Sequence, residues 1–119
     1  MTMLAEKKCV PCEGGVPPLT ESEIAPLLSE LSDPSWKIDG AKKLMKEWKF
    51  EDFKQSMHFV NAVAKIAEEE GHHPDIWISY NIVRLELSTH AIGGLSENDF
   101  ILAAKIKGIN PGASPRTPA

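Results

Sequence analysis

The chain contains four histidines, and three of them, His72, His73 and His90, stand where proton chemistry could be done. Imidazole suits that task because its ordinary pKa of about 6.5 lets it donate and accept near neutral pH. The stretch "EEEGHHPDI", Glu68 to Ile76, also puts three carboxylates directly ahead of two of these rings. Acidic residues in the last turn of a helix oppose its dipole by roughly 0.3 to 1 kcal/mol each. Glu68, Glu69 and Glu70 therefore call for an offset, and a neighbouring imidazole in its charged form supplies one. No serine sits in a glycine-rich elbow and no cysteine stands near the histidines in sequence, so an activated nucleophile is not expected. Adjacent His-His is not the one-face spacing of metal ligands either, and no metal site is expected.

Each of these residues also has a plainer reading. A histidine taken singly is a hydrogen-bonded surface or turn residue, and His58, inside a helical pattern, is read that way. Glu68 to Glu70 could be a solvated face, and Asp99 has a role as the acid of a helix cap. Trp77 and Tyr80 read as strand packing rather than ligand stacking.

The elements that must position these side chains follow from periodicity and caps. Thr20 with Glu23 forms a capping box, with Leu19 and Ile24 as its hydrophobic staple, and starts a helix that Pro26 bends or shortens. Asp39-Gly40 suits a hairpin turn, and beyond it Leu44, Lys46, Trp48 and Phe50 alternate with Lys43, Met45, Glu47 and Lys49. Glu51 to Glu70 is the longest helical pattern, with Phe53, Met57, Val60, Ala64 and Ala67 on the core stripe, Phe59, Val63 and Ile66 widening the face, and Gly71 as its left-handed stop. In "DIWISYNIVRLELSTH", Val83, Leu85 and Leu87 alternate with Arg84, Glu86 and Ser88, as in a strand with one wet face. Ser96 and Asp99 cap a last helix carrying Phe100, Ala103, Ala104 and Ile106.

The order helix, strand, strand, helix, strand, strand, helix predicts an α+β domain, a four-stranded antiparallel sheet with helices packed on one face. A hairpin centred on Asn81 would pair residues whose numbers sum to 162, bringing His72 across from His90. A slip of one residue would put His90 on the other face. Adjacent residues of an extended segment point to opposite sides, so His72 and His73 need the turn at Pro74 to reach one pocket.

A chain of 119 residues, 42% hydrophobic and 25% charged, is the size of one ordinary globular domain. Its net charge of -4 offers no basic surface for nucleic acid or an acidic membrane. Without a membrane-length apolar run or a secretion signal, a cytoplasmic location is expected. Cys9-Val10-Pro11-Cys12 has a zinc or redox spacing, but no second pair and no strand-to-helix context accompany it. The pair reads as silent or regulatory. Residues 1–18 read as a flexible leader, 19–109 as the folded domain and 110–119 as a disordered tail. A small sheet with an uncovered face or edge favours a symmetric oligomer.

At the histidines the sequence resembles the pterin-4a-carbinolamine dehydratase family. The shared pattern is Glu68, three residues, His72-His73-Pro74, then Tyr80, then Ser88-Thr89-His90, then "GLSENDF" with Asp99. It extends from about Leu19 to Ile109 and takes in Trp36-Lys37 and the Phe50, Phe53 pair. The resemblance implies an α+β fold that forms homodimers or homotetramers and holds a reduced pterin, with no metal or redox cofactor. It implies removal of water from 4a-hydroxytetrahydropterin, the product of pterin-dependent aromatic amino acid hydroxylases. His72 and His90 would then be acids near the hydroxyl, and His73 would hold the pterin. Glu68 would orient or charge the histidine pair, with Pro74 and Asp99 as further orienting residues. A non-catalytic interaction module on the same fold, or a pterin-handling step in molybdenum-cofactor metabolism, are the alternatives.

Overall fold

The computed structural model describes residues 4–9 and 17–109. The expected disordered tail, 110–119, and Cys12 lie outside the described residues. Three helices, α1 (Glu21–Glu30), α2 (Phe53–Glu70) and α3 (Glu97–Lys107), accompany four strands, β1 (Lys37–Asp39), β2 (Lys43–Lys49), β3 (Asp75–Ser79) and β4 (Ile82–Leu87). The strands form one antiparallel sheet in the order β1-β2-β4-β3. This is the α+β arrangement expected from the alternation of helices with paired strands.

The hydrophobic alternation decides which face is covered. Opposite pairs Leu44–Leu87, Lys46–Leu85 and Trp48–Val83 across β2 and β4 are all buried. Phe59 of α2 lies against this face, its ring 4.7 Å from Trp48 and 5.2 Å from Phe50. Trp36 meets Trp48 edge-on at 5.6 Å. Lys46 survives in this apolar layer because its ammonium pairs with Asp33 and lies over the Trp48 ring at 4.9 Å.

Two details differ from the periodicity reading. The buried stripe of α2 keeps the expected Phe59, Val60, Val63 and Ala67 but takes in Ser56, whereas Phe53 is 50% exposed. Ser56 can take a core position because its hydroxyl donates to the Asp52 carbonyl. Trp77 and Tyr80 are not strand packing, since β3 is an edge strand and both side chains remain exposed at 45% and 63%. Trp77 instead carries the Arg84 guanidinium 4.4 Å above its ring.

The cap signals are realised in full. Thr20–Glu23 and Ser96–Asp99 both make reciprocal capping boxes, Asp52 caps α2, and Gly71 ends it at φ 66°. Helix α1 runs through Pro26 for ten residues. Among the described residues, no helix is long and apolar enough to cross a membrane.

Candidate active site

The β3–β4 hairpin sets the site, and its register is one residue away from the expected one. Ser79 pairs with Ile82 and Asp75 with Glu86, so partner numbers sum to 161. The turn comprises Tyr80 and Asn81, with Tyr80 in the left-handed region at φ 52°. Asn81 fixes it by bonding to Phe50 twice, accepting the Phe50 amide at 2.7 Å and donating its side-chain amide to the Phe50 carbonyl at 3.1 Å. Continued past the strand ends, this register puts Thr89, not His90, across from His72. Thr89 accordingly falls on the covered face and is 3% exposed, while His90 is exposed.

Asp99, fully buried in the first turn of α3, joins the two. One carboxylate oxygen lies 2.6 Å from His72 Nε2. The other accepts the Thr89 hydroxyl at 2.9 Å and the Ser96 amide at 3.0 Å. A buried carboxylate only accepts, so Nε2 of His72 carries the proton of that bond and Nδ1 is left to exchange a proton with a bound molecule.

Helix α2 delivers His72 to this point. Its chain leaves the helix through Gly71, and the His72 amide donates back to the Ala67 carbonyl at 3.2 Å. His73 bonds Glu68 at the surface, the two side chains 59% and 77% exposed. The acidic run thus finds separate partners. Glu68 meets His73, and Glu70 accepts the Cys9 amide at 2.8 Å with Lys105 at 3.7 Å.

His90 enters from a loop closed at its base. Thr89 and Gly94 form an isolated antiparallel bridge, and a 3-10 turn, His90–Ile92, ends in Gly93 at φ 67°. Gly94 has no room for a side chain, because a Cβ there would come within 2.6 Å of Pro18. This packing seats the loop against the segment that leads into α1.

The result is an open cavity of about 230 Å³ lined by Gly71, His72, His73, Ser88, His90 and Asn98, among others. All three histidines reach it from two different chain segments. Glu68, Pro74 and Asp99 do not line it; Glu68 and Asp99 stand behind His73 and His72 respectively. The volume lies below the roughly 300–1,000 Å³ usual for ligand sites, enough for a flat ring system whose substituents remain outside. Thr89 and Ser96 bond the Asp99 carboxylate, a role that sequence reasoning did not give them: it named Thr89 only within the family pattern and Ser96 only as a helix cap. Thr89 could have been found from the alternation of Val83, Leu85 and Leu87, which it continues.

Among the described residues, no three His, Cys, Asp or Glu side chains are grouped so as to hold a metal ion. The arrangement offers His72 held by a buried carboxylate, His73 held by an exposed one, and His90 on an exposed loop, around a shallow polar hollow.

Comparison with known proteins gives this geometry a family. The sequence pattern of the family described as Pterin 4 alpha carbinolamine dehydratase matches residues 17–109. A Rickettsia canadensis protein, provisionally assigned as a pterin-4-alpha-carbinolamine dehydratase, is 52% identical over 107 residues, 90% of this chain and 97% of its own. One from Nitrosospira multiformis with the same provisional assignment is 54% identical over 103 residues, covering 87% and 88%. Among solved structures, a transcriptional coactivator/pterin dehydratase from Brucella melitensis superposes with a TM-score of 0.68 at 34% identity, over 75% of this chain and 94% of that one. A pterin dehydratase-like protein identified as a RuBisCO assembly factor in the alpha-carboxysome gives 0.52 at 27% identity, over 60% and 84%. With its matched span, its fold and relatives about half identical over most of their length, the chain belongs to the pterin 4 alpha carbinolamine dehydratase family.

Proposed function

We propose that this chain is a hydro-lyase that removes water from a 4a-hydroxytetrahydropterin to give the quinonoid dihydropterin. The observation that carries this reading is the convergence of His72, His73 and His90 on one cavity, with His72 backed by the buried Asp99. In the reaction the C4a–oxygen bond breaks. A general acid protonates the departing hydroxyl so that it leaves as water. The electron pair of the adjacent ring nitrogen forms the new carbon–nitrogen double bond, and a base takes that nitrogen's proton.

His72 and His90 are the candidates to protonate the hydroxyl, and His73 holds the pterin with Glu68 behind it. Asp99 and Pro74 act by orientation, Asp99 by fixing the His72 tautomer and Pro74 by turning the chain after the histidine pair. An acid must begin protonated, so turnover falls as pH rises through the pKa of the acting ring. The physiological setting that fits is pterin recycling after aromatic amino acid hydroxylation. The exposed edge strand β3, with Trp77 and Ile78, suits assembly into a homodimer or homotetramer.

A second reading, a protein-interaction module on the same fold, is favoured by the two structural relatives, one described as a coactivator and the other as an assembly factor. The deciding experiment follows the ultraviolet absorbance of freshly generated 4a-hydroxytetrahydropterin. Acceleration by the wild-type chain, lost in His72→Ala and His90→Ala with oligomer size and melting unchanged, is the expected result. A folded wild-type chain that does not accelerate the loss overturns the enzymatic reading in favour of the interaction module.

A further inference from the structure

Residues Leu4–Cys9 lie ahead of residues 17–109, which the family pattern matches, and the proposed dehydration chemistry makes no use of them. They are nonetheless bonded into the frame of the site. Leu4 is 4% exposed and joins the hydrophobic core, and the 3-10 turn Leu4–Glu6 packs against α3. Lys7 Nζ reaches Glu97 at 2.7 Å. The Cys9 amide donates to Glu70 at 2.8 Å, and its thiol donates to the Asn98 carbonyl at 3.5 Å.

The positions of those two partners matter. Glu70 is the last residue of α2, two before His72, and Asn98 immediately precedes Asp99. A single residue, Cys9, is therefore bonded to both helix ends whose separation sets the His72–Asp99 distance. The Glu70 carboxylate is only 7% exposed. It is held below the usual glutamate range first by the Cys9 amide, and further by the Lys105 and Lys8 charges, against the opposing effect of burial. The Cys9 thiol is pushed up to about 12, chiefly by burial and then by the Glu70 and Asp99 charges, so it stays a protonated donor in place.

We propose that Leu4–Cys9 is a brace and Glu70 a positioning residue, which together clamp the end of α2 to the start of α3 and keep His72 on Asp99. The kinetic consequence rests on the dehydratase reading, whereas the geometric one does not.

The test uses the full chain with Glu70→Ala, Glu70→Gln and Leu4→Ser. The proton–nitrogen correlation signals of the histidine rings are recorded by nuclear magnetic resonance beside steady-state kinetics. Expected in Glu70→Ala and Leu4→Ser are displaced His72 ring signals with those of His58 unmoved. A kcat lower by roughly 10-fold to 100-fold at nearly constant KM should accompany them, since a reacting group misplaced by about an ångström costs rate on that scale. Glu70→Gln keeps an acceptor for the Cys9 amide and should restore most of both. Unmoved His72 signals in folded Glu70→Ala and Leu4→Ser chains overturn the brace. Displaced signals in a chain whose wild type has no dehydratase activity uphold the brace and sink only the functional reading.

Discussion

His72 and Asp99 are 27 positions apart and are joined by a 2.6 Å bond between a ring nitrogen and a carboxylate with no solvent exposure. Asp99→Asn tests what that bond does. An asparagine that keeps accepting the Thr89 hydroxyl and the Ser96 amide turns its NH₂ towards the ring. Nε2 must then accept, and the ring loses the carboxylate partner of the charged, doubly protonated form from which an acid must begin. Dehydration should fall roughly 100-fold or more, with a stability loss of about 1–3 kcal/mol from the weakened buried network. Equal turnover in a folded Asp99→Asn chain would remove Asp99 from the mechanism.

The outer pair behaves differently. Glu68 and His73 are both more than half exposed, so water screens their bond. Glu68→Gln is expected to change stability by less than about 1 kcal/mol and to leave kcat much closer to wild type than Asp99→Asn does. Denaturant melts and kinetics of the two variants side by side check the ranking.

Acid stability should depend on Asp33. Burial would raise its carboxyl, but the bonds from Lys46 and the Ser35 amide, with the Lys46 charge, outweigh burial and hold it below its ordinary value of 3.8. A depressed carboxyl contributes stability that is complete above the unfolded pKa and is lost as pH falls through the lower, folded one. Asp33→Asn leaves the largely buried Lys46 ammonium without its partner and should cost roughly 3 kcal/mol near neutral pH. The gap between wild type and variant should then close as pH is lowered beneath 3.8. A gap that widens in acid would contradict the assignment.

Gly94 should not tolerate a methyl group. Its Cβ would meet Pro18 at 2.6 Å, and Pro18 belongs to the segment whose next residue, Leu19, donates to the Leu95 carbonyl at 2.9 Å. Overpacking of this kind costs about 1–3 kcal/mol. Gly94→Ala should lower the melting temperature and, by displacing the loop that carries His90, lower turnover as well. Gly93→Ala also falls in a loop but meets no atom, so its penalty should come from its φ of 67° alone.

Most of the fold was legible because its signals are local. Capping boxes, the Gly71 stop and the alternation of Leu44 to Phe50 each depend on a few neighbouring residues, and each appears where its pattern lies. The hairpin register is also local in principle, but a two-residue turn at Tyr80-Asn81 needs a non-glycine residue at positive φ. Turn chemistry gives tyrosine no such preference, and a turn centred on Asn81 rather than between Tyr80 and Asn81 shifts the pairing by one residue. The companion error was topological: Trp77 and Tyr80 have strand-forming side chains, and only the strand order shows that they lie at an edge. Residues 4–9 were illegible for another reason. Their composition reads as a flexible leader, and their order comes from partners some 60 to 90 positions away, Glu70, Glu97 and Asn98.

The capping box of α3 has a consequence for how this fold can change. Asp99 caps the start of α3 with the same carboxylate that holds His72, so on the dehydratase reading the position answers to folding and to chemistry at once. In the proposed mechanism the histidines serve the chemistry, and they are turn and loop residues outside the α-helices and strands. A descendant of this chain that gave up turnover for partner binding would thus shed its rings and keep its aspartate. Retained acid beside missing imidazoles would be the imprint of a former enzyme.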